Sequence, residues 1–463
     1  MKEFDIAIIG GGPGGYVAAI KAAQAGACVC LVEADRVGGT CLNRGCIPTK
    51  AYYSTAQLLN KIRHAEQHGI HAGSVAFDFA RAAERKDQVV EKLVGGVEQL
   101  LKGNKVEVFR GKGFLEGAGK VGIRRQGVVG HIQAKNIILA TGSVPVTPKS
   151  LPVDGKNVLT STEILAIKEL PRRLLVIGGG YIGCEFASIF ATFGVEVTVV
   201  EALPNILANS DRQIVREVEK AFRALDVTIH QKTSVESLDV KAESVVARLS
   251  GDQQVEVDKV LVAVGRRPNS AGMNFEKIGL QLEKGAVVVD ARLRTNLDGI
   301  FAIGDVTGGI QLAHVASYQA EIAVKNALGG NERADYRVVP SAIFTLPEVA
   351  QVGLSEEECK AQELDFQVGR FAYQATSKAV CEGETAGSIK VIADRQDGKI
   401  LGAAIVGAEA SAMISELALA MAGDVNVQAL GEVIHAHPTL PEMVKEAAED
   451  VLGLAVHKVG RRK

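Results

Sequence analysis

Two open, doubly wound α/β units followed by a smaller α+β unit are what this chain of 463 residues predicts. Three observations carry the expectation. A strand–glycine turn–helix–strand unit occurs twice with the same internal spacing. Short apolar runs that end on glycine recur between and after the copies, as buried parallel strands do. From about Arg337 the texture changes and no further glycine motif follows.

The length alone suggests about three domains at ~150 residues each. A hydrophobic fraction of 47% is ordinary for globular units with buried cores. Lys+Arg 52 against Asp+Glu 54 leave no global field to recruit nucleic acid or an anionic membrane. Met1-Lys2-Glu3-Phe4-Asp5 passes straight into a strand pattern, so no signal peptide is expected. No apolar run approaches the ~20 residues of a membrane span. Seven scattered cysteines, an odd number, argue against a secreted disulfide scaffold. In a reducing cytoplasm, the location expected here, a functional pair among them would be catalytic.

The first unit opens with the apolar run Asp5-Ile6-Ala7-Ile8-Ile9 and the turn Gly10-Gly11-Gly12-Pro13-Gly14-Gly15. An Ala-rich helix pattern, Tyr16 to Ala25, leads to the strand Ala27 to Val32 and then to Glu33. In this G-x-G-x-x-G arrangement Gly10 makes the bend, Gly12 admits a pyrophosphate and Gly15 lets helix and sheet pack. The helix N-terminus faces the phosphates, and Glu33 can accept hydrogen bonds from a ribose 2′-hydroxyl. The second copy runs from Arg173-Leu174-Leu175-Val176-Ile177 through Gly178, Gly180 and Gly183 to a helix ending near Phe193. It closes on Val195 to Val200 and Glu201. A carboxylate there repels a 2′-phosphate, and no Lys or Arg lies between Ala202 and Asp211, so NAD is favoured over NADP.

Between the copies, Leu58 to Leu101 reads as helices, while Lys105 to Phe109 and Val128 to Gln133 read as β-hairpin material. Asn136 to Ser143 is a buried strand stopping at a glycine turn, with Lys259 to Pro268 its counterpart in the second copy. Gly299 to Ile303 is a further strand ending at Gly304-Asp305. Asp305 then sits either where α/β sheets bind ligands or as a turn residue capping the next helix. In the third unit Phe344 to Val349, Gly387 to Ala393 and Leu401 to Val406 read as strands, and Ala410 to Ala422 and Met443 to Leu452 as helices. Arg461-Arg462-Lys463 is expected to be a solvated tail.

Cys41 and Cys46 lie in a polar, non-periodic stretch around Gly45 and lack zinc-ligand spacing, so no metal site is expected. Cys28, Cys30, Cys184, Cys359 and Cys381 fall in strand or helix patterns and are expected to be small buried hydrophobes. Pro48 is compatible with a helix start nearby, where a thiolate is stabilised by the dipole. If that segment is helical, Lys50 lies one turn beyond Cys46 on the same face.

Gly39-Thr40-Cys41-Leu42-Asn43-Arg44-Gly45-Cys46-Ile47-Pro48-Thr49-Lys50 resembles the redox-disulfide signature of the class I pyridine nucleotide–disulfide oxidoreductases. The closing His435-Ala436-His437-Pro438-Thr439-Leu440-Pro441-Glu442 is most similar to the members that oxidise dihydrolipoamide. Ala140-Thr141-Gly142, Gly265-Arg266-Arg267-Pro268, Gly304-Asp305 and Phe344-Thr345-Leu346-Pro347-Glu348 extend the resemblance over essentially the whole chain.

The resemblance implies one non-covalent FAD per subunit, at Gly10, Gly12, Gly15, Glu33, Gly39, Thr40, Lys50, Gly113, Thr141, Gly142, Ser143, Asp305, Leu312, Ala313 and His314. The last three begin a helix whose positive end would favour the anionic reduced flavin. It implies NAD as co-substrate at Gly178, Gly180, Ile182, Gly183, Glu201, Val235 and Gly265. Cys41 would face substrate and Cys46 the flavin. His437, oriented by Glu442, would be the base, and Glu185 would pair with Lys50. The implied reaction is oxidation of dihydrolipoamide to lipoamide through a Cys41–Cys46 disulfide, reducing NAD⁺ to NADH. The implied domains are 1–145 and 271–335 for FAD, 146–270 for NAD and 336–463 for the interface of a homodimer whose active sites are shared. With no lipoyl segment ahead of Met1, lipoate is expected from the lipoyl domains of a 2-oxoacid dehydrogenase complex or from the glycine cleavage H protein. The rival readings are another disulfide reductase of the same fold, glutathione or mercuric reductase-like, and a non-catalytic scaffold. Missing basic residues after Glu201 and the lack of cysteines after Cys381 count against the former, and intact Cys41, Cys46, His437 and Glu442 against the latter.

Overall fold

The computed structural model describes residues 2–459, so the expected tail Arg461-Arg462-Lys463 lies outside the described residues. Strands Glu107–Arg110, Val29–Glu33, Lys2–Ile9, Val128–Leu139 and Ile300–Ala302 lie side by side in that order, all parallel. Ile6, Ile8 and Leu31 face one core and Ala7, Ile9 and Cys30 the other, which explains why these strands read as unbroken apolar runs. Strand Val128–Leu139 serves two partners: its first half pairs antiparallel with Lys120–Arg125, its second half parallel with Lys2–Ile9. Helix Pro13–Gln24 packs its alanines Ala18, Ala19 and Ala22 into the same core as Ala320 and Ala323 of helix Ala313–Ala327. Residues far apart in the chain thus close one nucleotide-type sheet.

The second sheet repeats the plan, with Thr228–His230, Glu196–Val200, Arg173–Ile177, Lys259–Val262 and Val158–Leu159 parallel in that order. Its free face is covered by the antiparallel strands Val235–Val240, Val245–Leu249 and Gln253–Val257, whose Val245, Ala247 and Leu249 share a core with Leu175 and Ile177. Arg266–Pro268 pairs with Ser143–Pro145 and ties the ends of the two sheets together. The third unit is an antiparallel sheet ordered Ser341–Ile343, Val349–Gly353, Ile400–Val406, Ser388–Asp394 and Phe366–Ala372. Helices Ala410–Ala422 and Glu442–Val451 share its core through residues such as Leu417 and Val444.

Three expectations need correction. Lys105 to Phe109 forms no hairpin: Glu107–Arg110 pairs parallel with Val29–Glu33, because Val108 packs into one core and Phe109 into the other. Phe344 to Val349 is no single strand, since strands end at Ile343 and restart at Val349. The Phe344 and Leu346 amides donate to Glu185 Oε1 and Ser188 Oγ, each at 2.9 Å, instead of joining a ladder. Cys30, Cys184 and Cys359 are buried, but Cys28 and Cys381 are exposed. Cys28 precedes its strand, its amide donating to Asp5 Oδ2 at 2.8 Å, and Cys381 sits on the outer side of the short helix Ser377–Glu382.

Candidate active site

The two glycine turns are built alike, atom for atom. Gly10 and Gly178 take φ of +104° and +105°, and a Cβ on either would strike a backbone carbonyl oxygen, of Ala140 at 2.3 Å and of Ala263 at 2.5 Å. A Cβ on Gly15 would lie 1.8 Å from Gly10 O, and one on Gly183 1.9 Å from Gly178 O. By contrast, a Cβ on Gly12 would meet only Gly39 Cα at 3.9 Å, and one on Gly180 nothing within 4 Å. The middle glycine of each turn therefore leaves space at a helix N-terminus, where a phosphate binds favourably. Glu33 accepts from the Gly11 amide at 2.6 Å and the Asp35 amide at 2.7 Å, and Glu201 from Gly179 and Leu203 at the same two distances. Burial pushes the Glu33 carboxyl above its usual range, against the pull of the Gly11 amide. Both cradles fit a dinucleotide. Ile182 lies in the first turn of helix Tyr181–Thr192, beside the second cradle.

The dithiol stands directly against the first cradle. Gly39 takes φ +57°, and a Cβ there would be 2.6 Å from Gly12 Cα, so the short helix Gly39–Arg44, which carries Thr40 and Cys41, abuts the turn. After Gly45 the helix Cys46–Arg63 begins, with Cys46 its first residue and Pro48 in the first turn, where no amide partner is lost. The two thiols interact directly, and the pair is electrostatically asymmetric. The interaction with Cys41, aided by Lys50, lowers Cys46 to about 7. Cys41, facing that interaction and its own burial, is pushed up.

Around this pair the three units converge. Lys50 Nζ reaches Glu185 Oε1 at 2.8 Å and Oε2 at 3.0 Å, and lies 4.4 Å from the centre of the Phe344 ring. Ser143 Oγ donates to Asp305 Oδ2 and accepts from Arg266 Nε at 2.8 Å. Thr141 Oγ1 donates to Asn269 O at 2.7 Å, and Gly142 and Gly265, both at positive φ, have open space where a Cβ would stand. Leu312 caps the helix that starts at Ala313, and His314 Nε2 lies 2.9 Å from Pro340 O. Two of the expected cofactor contacts, Gly113 and Val235, also have packing roles. A Cβ on Gly113 would be 2.8 Å from Ile9 Cγ2, and Val235 packs into the core beneath the second sheet. Two residues not singled out from the sequence belong here. Tyr181 lies within electrostatic reach of Arg266, Asp305, Cys46 and Glu185, and Tyr16 within reach of Cys41. Each follows a glycine turn, the one signal that marks it in the sequence.

His437 is remote from this convergence in connectivity and exposed, with its Nδ1 3.0 Å from Glu442 Oε1. Burial would raise the Glu442 carboxyl, but the Thr439 amide and His437 outweigh it and hold it below its usual range.

Two dinucleotide cradles flanking a dithiol define an oxidoreductase that passes electrons between a nucleotide and a disulfide. The chain belongs to the pyridine nucleotide-disulphide oxidoreductases: residues 4–320 match that family, and residues 339–448 match its dimerisation domain, which supports a homodimer. Among relatives, a dihydrolipoyl dehydrogenase of Chlamydia pneumoniae is 43% identical over 448 residues, 96% of each chain. One of Bacillus subtilis is 40% identical over 99% of this chain and 98% of its own. The structure of LpdA from Mycobacterium tuberculosis superposes with a TM-score of 0.91 at 27% identity, covering 97% of this chain and 99% of that one. The HOCl-induced flavoprotein disulfide reductase RclA from Escherichia coli superposes with 0.87 at 32% identity, covering 96% and 99%. Among the described residues no helix is long and apolar enough to cross a membrane.

Proposed function

We propose that this chain oxidises dihydrolipoamide to lipoamide and reduces NAD⁺ to NADH. The observation that carries the reading is the Cys41/Cys46 dithiol set against the first dinucleotide cradle, one helical turn from the Lys50–Glu185 pair that reaches it from beside the second. FAD fits the first cradle and NAD⁺ the second; FAD supplies a two-electron relay between dithiol and nicotinamide. Glu442, an acceptor, fixes the His437 proton on Nδ1, which leaves Nε2 free to take a proton from the substrate thiol. The substrate thiolate attacks Cys41 Sγ, the Cys41–Cys46 bond breaks, and its electron pair leaves on Cys46. The thiol of lower pKa leaves faster, so the asymmetry selects Cys41 as the sulfur attacked. The second substrate sulfur then closes lipoamide, its proton passing to the Cys41 thiolate that it releases, while the first proton stays on His437 and balances the charge left on Cys46. Lys50 stabilises the charge retained on Cys46, and Glu185 holds Lys50.

The family resemblance implies that His437 serves the dithiol of the partner subunit in the homodimer, and its exposure is compatible with that placement. The units are assigned as 1–145 and 271–335 for FAD, 146–270 for NAD⁺ and 336–463 for the interface. The dithiol arrives on the lipoyl domains of a 2-oxoacid dehydrogenase complex or on the glycine cleavage H protein, in the cytoplasm. The test is NADH formation from dihydrolipoamide by wild-type protein and by His437→Gln. The variant is expected to lose about 10²–10⁴-fold in kcat/KM, the usual worth of a general base. Equal rates would remove His437 from the reaction.

A further inference from the structure

His437 sits in a segment with no helix or strand, between helices Val427–Glu432 and Glu442–Val451. Little apolar burial fixes it: Leu440 is buried, but Ile434 is 96% exposed. Polar bonds must therefore define its path. Downstream, Thr439 Oγ1 donates to Ala436 O at 2.7 Å and the Thr439 amide to Glu442 Oε2 at 2.8 Å. Upstream stands His435, whose side chain is only 7% exposed. Its Nδ1 lies 3.0 Å from Val433 O and its Nε2 2.8 Å from Glu416 Oε1. Both nitrogens of the ring thus face acceptors, the Val433 carbonyl on one side and the Glu416 carboxylate on the other. Glu416 belongs to helix Ala410–Ala422, which buries Met413, Ile414 and Leu417 in the core of the third unit. The bond thus runs from a rigid element to a loop that has few other anchors.

We propose that Glu416 and His435 form a second carboxylate–histidine pair that positions His437, by clamping its loop to the core helix two residues ahead of the base. Glu442 then sets the tautomer of His437, and Glu416, through His435, sets where the ring stands. The proposal rests on the dithiol-oxidising reading.

The experiment uses the full-length dimeric holoprotein and follows two anaerobic half-reactions, reduction of bound flavin by dihydrolipoamide and by NADH. Only the first needs His437. Glu416→Ala is expected to slow it about 10–100-fold, as a misplacement of about 1 Å does. FAD content, dimer elution, thermal midpoint and the NADH-driven rate should stay near wild type. Glu416→Gln should recover most of the loss. Its amide can still hydrogen-bond His435 Nε2 while Nδ1 keeps its contact with Val433 O. A wild-type dithiol rate in Glu416→Ala, equal loss of both half-reactions, dissociation of the dimer, or a Gln variant as slow as Ala would each overturn the proposal. A wild-type protein that dihydrolipoamide fails to reduce would instead overturn the reading beneath it.

Discussion

Cys46 owes its character to place more than to kind. It occupies the first position of an 18-residue helix, interacts with Cys41 and lies within the field of Lys50. Cys184, by contrast, is wholly buried and pushed well up, and makes only a weak bond to Gly179 O. Since the Cys46 pKa is depressed, its thiolate fraction grows as pH rises through about 7. The long-wavelength absorption of the dithiol-reduced, FAD-loaded protein should therefore appear with a midpoint near 7. A midpoint at the unperturbed value of 9.0 would contradict the assignment. Cys46→Ser should abolish that absorption while FAD stays bound; loss of FAD would mean that the thiol is structural. In the sequence, the special status of Cys41 and Cys46 was legible from the polar texture around Gly45. Their unequal roles and the Lys50–Glu185 pair came only through the family resemblance, because Lys50 and Glu185 meet from separate units and no local pattern joins them.

The glycine turn makes three positions of one residue type do different jobs. A Cβ on Gly15 would overlap Gly10 O, whereas one on Gly12 would stand in open space. Gly15→Ala is expected to lose both folding stability and FAD. Gly12→Ala should keep a wild-type thermal midpoint as apoprotein while binding FAD weakly. Differential scanning calorimetry with flavin quantification separates the two, and equal behaviour would mean that Gly12 serves packing alone. These turns were readable in the sequence because their demands are local, a positive φ here and a close approach there. The Phe344–Glu348 segment was misread as a strand for the opposite reason. Its amides are claimed by Glu185 and Ser188, and Glu348 accepts from Tyr53 and Ser411, partners no local pattern reveals. The antiparallel strands of Val235–Val257 went unanticipated likewise, since their alternation is fixed by the sheet they cover.

At the scale of the molecule, the units are joined by polar contacts out of water. Lys390, on a strand of the third unit, is 3% exposed and bonds Asp211 Oδ1 at 2.7 Å and Glu356 Oε1 at 2.6 Å. Asp211 is 2% exposed and caps helix Arg212–Ala224 of the second unit. Lys390→Met would leave the buried Asp211 without its cation, while Glu356 keeps Arg370, and should cost about 3–5 kcal/mol in denaturant unfolding, as a broken buried pair does. A loss under about 1 kcal/mol would mean that the junction is solvated like a surface pair. The duplicated sheets and the change of texture near Arg337 were legible from spacing and glycine; this junction was not, since Asp211 and Lys390 are far apart in sequence. The proposed reaction draws on all these levels, with a dithiol beside Lys50 and Glu185 of two units and the proposed base His437 on a third. Anaerobic addition of dihydrolipoamide to the FAD-loaded protein, followed by NAD⁺, tests that account most directly. Long-wavelength absorption should rise with the dithiol, and NADH should then form in proportion to the electrons supplied. Flavin that dihydrolipoamide leaves oxidised, or reduced protein that yields no NADH, would contradict it.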